Sequence, residues 1–190
     1  GQLGIDAKVA LGSSIGADLT YHTDFAQVES DQQQVNLTRF PLFYPEKRTF
    51  FLENAGLFQV GERRDSFEPP STLLFFSRRI GLDTNGNPQT INYGAKLTGQ
   101  VGNSDIGMLH VQTGNDEGKS IVGEDFTVLR VKERMLRQSY VGAMYTRRAA
   151  RLGNAPDLHT EGVDFQLATS DLFGSQNLQL SGFFANTTNP

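Results

Sequence analysis

The feature that most limits the fold is a period of two that recurs through short segments of the chain, while the i, i+3, i+4, i+7 spacing of an amphipathic helix is almost absent. Ile5, Ala7, Val9 and Leu11 share one face of an extended segment, and Asp6 and Lys8 take the other. After Gly12-Ser13-Ser14, the residues Ile15, Ala17, Leu19 and Tyr21 oppose Asp18, Thr20 and His22. These segments, 3–11 and 15–25, form the first expected strand pair. The same pattern, broken by turn residues, predicts further pairs at 91–101 with 105–114, 126–135 with 139–148, and 162–170 with 177–187. The expected fold is all-β: an antiparallel meander of about eight strands, each roughly 9 to 11 residues and so longer than the ~5–6 usual in soluble sheets.

The connections carry a second regularity. Those inside each pair are short, such as 102–104, whereas those between pairs are long: 26–90, 115–125 and 149–161. Outer-membrane barrels alternate in this way, with tight periplasmic turns, long outer loops, an apolar lipid face and a polar lumen face. The chain is therefore expected to be part of an outer-membrane β-barrel. Leu97, Leu129 and Val131 then point to lipid, and Lys96, Thr98, Arg130, Lys132 and Arg134 point into the lumen. On the fourth strand, Gly107, Leu109 and Val111 are assigned outward and Met108 and His110 inward. The longest apolar run, Leu73-Leu74-Phe75-Phe76, is far short of the ~20 residues of a membrane helix.

Composition removes several function classes. Lys+Arg 17 against Asp+Glu 21 gives a net charge of -4, which lacks the basic excess of a duplex-DNA binder, so no nucleic-acid partner is expected. Cysteine is absent, which excludes disulfides, zinc-thiolate sites and thiol catalysis. Residue 1 is Gly rather than Met, and the chain reads as a piece of a longer one whose remainder supplies the strands that close the barrel.

Segment 26–90 interrupts the repeat. It holds Phe40, Phe43, Tyr44, Phe50, Phe51, Phe58, Phe67, Phe75 and Phe76 among the charged clusters Glu46-Lys47-Arg48, Glu62-Arg63-Arg64 and Arg78-Arg79. A connection this long inside a compact domain is functional or folded on itself, and the aromatics point to folding. A short helix over 49–58, ended by Gly61, and a break at Glu68-Pro69-Pro70 are expected. Residues 1–190 thus divide into a first hairpin (1–25), a plug-like or mouth insert (26–90) and three further hairpins (91–190), all in one partial barrel domain.

Four motifs in order carry a resemblance: Asp24-Phe25-Ala26-Gln27-Val28-Glu29-Ser30-Asp31, then Val35-Asn36-Leu37, then Phe43-Tyr44-Pro45-Glu46-Lys47-Arg48-Thr49-Phe50-Phe51-Leu52-Glu53, then Phe75-Phe76-Ser77-Arg78-Arg79-Ile80-Gly81. Tyr93-Gly94-Ala95-Lys96-Leu97-Thr98-Gly99 and Val128-Leu129-Arg130-Val131 extend it. The chain resembles a bacterial family that joins an N-terminal carbohydrate-binding domain of the family nine type to a C-terminal barrel-like domain of unknown function, domain of unknown function 5916. It is similar to the N-terminal part of that second domain. Asp31-Gln32 stands where the family has aspartate-proline, and Thr49 replaces a common proline. The resemblance implies a location in the outer membrane of a Gram-negative bacterium and no carbohydrate activity for these residues by themselves.

The charged residues offer the candidate sites. Glu46, Lys47, Arg48, Glu53, Arg78, Arg79, Lys96, Arg130, Lys132 and Arg134 are expected to form lumen and plug ion pairs. The strand cations would hold the insert through Glu46, Glu53, Glu62 or Asp65; the other reading of the ladder is a pore lining that favours anionic solutes. Asp24, Glu29 and Asp31 lack a calcium-loop spacing, and His22, His110 and His159 lack a paired zinc spacing, so no metal and no cofactor are expected. Arg147, Arg148 and Arg151 are a weak candidate for nucleic-acid contact, and no serine elbow or phosphate loop is present. The expected role is solute or glycan binding or uptake at the cell surface, without catalysis, with outer-membrane lipid as the main partner. The competing class is a soluble all-β polysaccharide-active enzyme or carbohydrate-binding module, with Glu46 and Glu53 as acid and base.

Overall fold

The alternating segments pair in the order in which they occur. A computed structural model describes residues 4–22, 46–60, 73–82, 89–116, 118, 121–153 and 156–188. Its strands are β1 (Ile5–Leu11), β2 (Ile15–Tyr21), β3 (Ile91–Val101), β4 (Ser104–Thr113), β5 (Glu124–Met135), β6 (Ser139–Ala150), β7 (Leu158–Leu172) and β8 (Gln176–Thr188). They form one eight-stranded sheet in the order β1 to β8, every neighbour antiparallel. This is the all-β meander that the period of two requires. Among the described residues the sheet does not close: β1 and β8 are each paired along one edge. Lengths run from 7 residues in β1 to 15 in β7.

Register assigns the two faces. One row runs Asp18, Lys96, Leu109, Val128, Thr146 and Thr160, and this inner face carries the buried side chains. The outer face carries Leu19, Leu97, Met108, Leu129, Val131, Tyr145 and Val163. Among the described strand residues, every exposed large apolar side chain except Phe183 lies on this outer face, from Ile5, Val9 and Leu11 in β1 to Leu178, Leu180 and Phe184 in β8.

Against the inner face packs the described part of the insert. It contains the single helical turn α1 (Thr49–Leu52) and the 3-10 turns Ala55–Phe58 and Ser77–Arg79. Phe51, Phe58 and Ile80 of the insert join Ile91, Leu109, Val111, Phe126, Val128 and Met144 of the sheet in one core, with Phe50, Leu57, Val60, Leu74 and Phe75 around it. Each large apolar side chain buried there contributes about 1.5–3 kcal/mol, so the aromatic content of the insert is what seats it. Mid-strand glycines make room. A Cβ on Gly107 would come within 2.9 Å of Leu57 and 3.0 Å of Phe58, and one on Gly94 within 3.1 Å of Phe50.

Two expectations change. The faces of β4 are the reverse of those read from its sequence: Gly107, Leu109 and Val111 point inward, and Met108 and His110 point outward. The assignment failed because it equated apolar with lipid-facing, whereas the insert also needs an apolar surface and β4 supplies one on each side. The expected helix over 49–58 is broken after one turn, where Asn54 takes a left-handed φ of 56° and turns the chain into the 3-10 segment. Asn tolerates that region better than most residues. Gly61 and Glu68-Pro69-Pro70 lie outside the described residues.

Candidate functional site

Two buried cations of the sheet reach the insert. Lys96, 1% exposed at its side chain, pairs with Asp18 of β2 at 3.0 Å and donates from Nζ to the carbonyls of Phe50 at 2.6 Å and Glu53 at 3.1 Å. Those carbonyls sit at the end of α1, where a helix leaves acceptors unsatisfied, so one ammonium neutralises Asp18 and caps the turn. Arg130 makes a fork with Asp164 of β7, Nη1 to Oδ1 at 2.6 Å and Nη2 to Oδ2 at 2.9 Å, with neither side chain exposed. Its Nε donates to the carbonyl of Leu57 at 3.3 Å. The fork crosses β6 above Gly142, the register partner of both Lys132 and Asp164, where a Cβ would lie 2.5 Å from Asp164 Oδ1.

These contacts differ from the expected ones in chemistry. The carboxylate partners of Lys96 and Arg130 are Asp18 and Asp164 of the sheet rather than Glu46 or Glu53, and the insert meets both cations through backbone carbonyls. Glu62 and Asp65 lie outside the described residues. Glu53 pairs with Lys8 of β1.

Glu46 instead organises the insert itself. Its carboxylate accepts from the backbone N–H groups of Lys47 and Arg48, from Arg48 Nε at 2.8 Å and Nη2 at 2.7 Å, and from Ser77 Oγ at 2.7 Å. Arg48 also donates to the carbonyls of Ile80 and Ser77 and lies 4.2 Å over the Phe51 ring, which ties residues 46–60 to 73–82. Burial alone would raise the Glu46 pKa, but the hydrogen bonds and charge of Arg48, with Ser77, outweigh it and hold the carboxyl below its ordinary value. A carboxylate so engaged is a structural acceptor, unlike the poised acid of a glycosidase pair. In the adjacent 3-10 turn Arg78 is half-buried and Arg79 exposed, and Lys47 is exposed beside Glu46.

Toward the tight turns, the inner face opens into two adjoining clefts of about 590 and about 470 Å3 that share Asp105 and Lys132. Asn54, Gly56, Leu57 and Thr98 wall the first; Arg134, Arg137, Gln138 and Tyr140 wall the second. Asn54 Nδ2 donates to Thr98 Oγ1 at 2.9 Å, Arg134 meets Asp105 at 3.1 Å, and Lys132 Nζ lies 4.1 Å over the Tyr140 ring. Sequence reading assigned Lys132 and Arg134 to this face but missed Arg137, Tyr140 and Asp105, which only the register brings beside them.

At the opposite end of the outer face, polar and aromatic groups border the apolar surface. Gln112 Nε2 donates to Asp125 at 3.0 Å and to Tyr93 Oη at 3.3 Å, and His110 Nδ1 lies 3.0 Å from Thr127 Oγ1. Each histidine, read from sequence as isolated, lies against a tyrosine: His22 on Tyr21, His110 by Tyr93 and His159 by Tyr145. Among the described residues no cluster of three metal-ligating side chains occurs. Asp24, Glu29 and Asp31 are not among them. Arg147 pairs with Asp157, Arg148 with Glu124, and Arg151 donates to the Thr113 carbonyl, so the suggested nucleic-acid cations brace the long connections.

An antiparallel meander that seats a folded insert on one face and exposes an apolar surface on the other defines an all-β, insert-bearing sheet protein. The family model described as domain of unknown function (DUF5916) matches residues 1–106, and the chain belongs to that family. The match spans β1, β2, the insert and β3 and ends within β4. No curated protein and no solved structure matches the chain.

Proposed function

We propose that the chain is part of an outer-membrane β-barrel in which the outer face of the sheet meets lipid, the insert sits inside as a plug, and the clefts beside the insert, which open toward the tight turns, bind a polar solute during uptake. One observation carries the reading: the exposed large apolar side chains of the strands gather on the face opposite the insert. A contiguous apolar surface of more than a few hundred Å2 is rare on a water-soluble monomer. A lipid-facing sheet needs it, flanked by aromatic groups at the interface, and Tyr21 and Tyr93 with the Gln112–Asp125 pair supply that border. The tight turns then face the periplasm and the long connections face outward. Cell fractionation of the full-length protein tests the location. It should sediment with outer membranes and resist extraction by salt and carbonate, whereas recovery in the soluble fraction contradicts the reading.

A further inference from the structure

We infer that the paired clefts at the tight-turn end of the inner face form a binding site for a small solute carrying a doubly ionised oxyanion, of which a phosphate monoester is the simplest. The inference rests on the solute-binding part of the proposed function and not on membrane insertion. Among the described residues three cations, Lys132, Arg134 and Arg137, line the clefts against the single carboxylate of Asp105, which leaves a local charge suited to a dianion. Two of the three are guanidinium groups, whose planar fork matches the oxygen spacing of phosphate and carboxylate.

Their pairing leaves them open to exchange. The Arg134–Asp105 contact is solvent-exposed, 45% and 29% at the two side chains, so a bound oxyanion competes with Asp105 for Arg134 at little cost. Arg137 makes no ion pair with any described residue and stands exposed in the β5–β6 turn. Lys132 is held over Tyr140 at the junction of the two clefts, where its charge serves both. Around these cations stand neutral hydrogen-bonding groups, Thr98 and Asn54 on one side and Gln138 and Tyr140 on the other, suited to the hydroxyl-bearing body of the solute. Each cleft by itself lies in the range of small-molecule sites, ~300–1,000 Å3.

The test is calorimetric titration of the folded full-length protein at low salt with glucose 6-phosphate, inorganic phosphate and glucose. Both phosphate compounds should bind saturably, and glucose at least tenfold more weakly. Arg134→Gln with Arg137→Gln should weaken glucose 6-phosphate at least tenfold. Asp105→Asn removes the competing carboxylate and should tighten it severalfold, a gain that misfolding cannot produce and that decides the matter if the double variant does not fold. No saturable phosphate binding in the parent, or unchanged or weaker binding in Asp105→Asn, overturns the site. Glucose binding as tightly as its phosphate overturns the charge selectivity while leaving a solute site, and none of these results depends on where the protein fractionates.

Discussion

The Arg130 guanidinium and the Asp164 carboxylate meet as a two-bond fork, 2.6 and 2.9 Å, across the intervening strand at Gly142. Residues on β5 and β7 touch because β6 has no side chain between them, while Arg130 Nε reaches over to the Leu57 carbonyl of the insert. One buried pair thereby links three strands and the segment seated on them. Removing Asp164 strands a buried charge, so Asp164→Asn should cost about 3–5 kcal/mol, and Arg130→Met with Asp164→Leu should recover most of that loss. Gly142→Ala should cost about 1–3 kcal/mol by forcing the fork apart. Chemical unfolding of the full-length protein measures all three.

The insert should behave as a docked element. Gly107→Ala places a methyl against Leu57 and Phe58, and overpacking of this kind costs about 1–3 kcal/mol. Limited trypsinolysis should cut the parent slowly after Arg48, whose guanidinium is held by Glu46, Ser77 and Ile80, and quickly after the exposed Arg137. Gly107→Ala and Arg130→Gln should each speed cleavage at Arg48. Rapid cleavage there in the folded parent contradicts the packing.

Glu46 sets an acid limit on that packing. Its folded pKa lies below the ordinary 4.5, so its contribution is fully present above that value and disappears as pH falls through the lower folded pKa. Proteolysis at Arg48 should therefore accelerate only in the acid range below about pH 4.5, read with an acid-active protease, and Glu46→Gln should remove the pH dependence while loosening the insert at neutral pH.

Sequence periodicity revealed the strand pairs because each has one apolar and one polar face over most of its length. On β5 it placed Arg130 and Lys132 inward and Leu129 and Val131 outward, as the register does. It failed on β4 because Leu109 and Val111 face the insert while Ile106 and Met108 face out, and alternation between two apolar sets carries no direction. The partners of the buried cations were illegible for another reason: Asp18 and Asp164 read as ordinary polar-face residues until register set them beside Lys96 and Arg130. The mid-strand Gly94, Gly107 and Gly142 were the available signal, since glycine inside a strand marks the close approach of another group.

The outer face should tolerate charge only at its border. Leu129→Arg should cost about 2–4 kcal/mol at the middle of a bilayer, while Gln112→Arg, beside Asp125 at the polar border, should cost about 0–1 kcal/mol. Equal tolerance in unfolding from vesicles contradicts a lipid-facing Leu129.

Because the chain has no cysteine, single labels test the lipid face directly. Leu129→Cys, Val163→Cys and Phe184→Cys on the outer face, and Leu152→Cys in a long connection, would each carry a small fluorophore in full-length protein reconstituted into vesicles with brominated acyl chains. The account predicts strong quenching by the brominated lipid at the three outer positions and none at 152. Labels at 129, 163 and 184 that escape the lipid quencher and respond to aqueous iodide as readily as the label at 152 would contradict it.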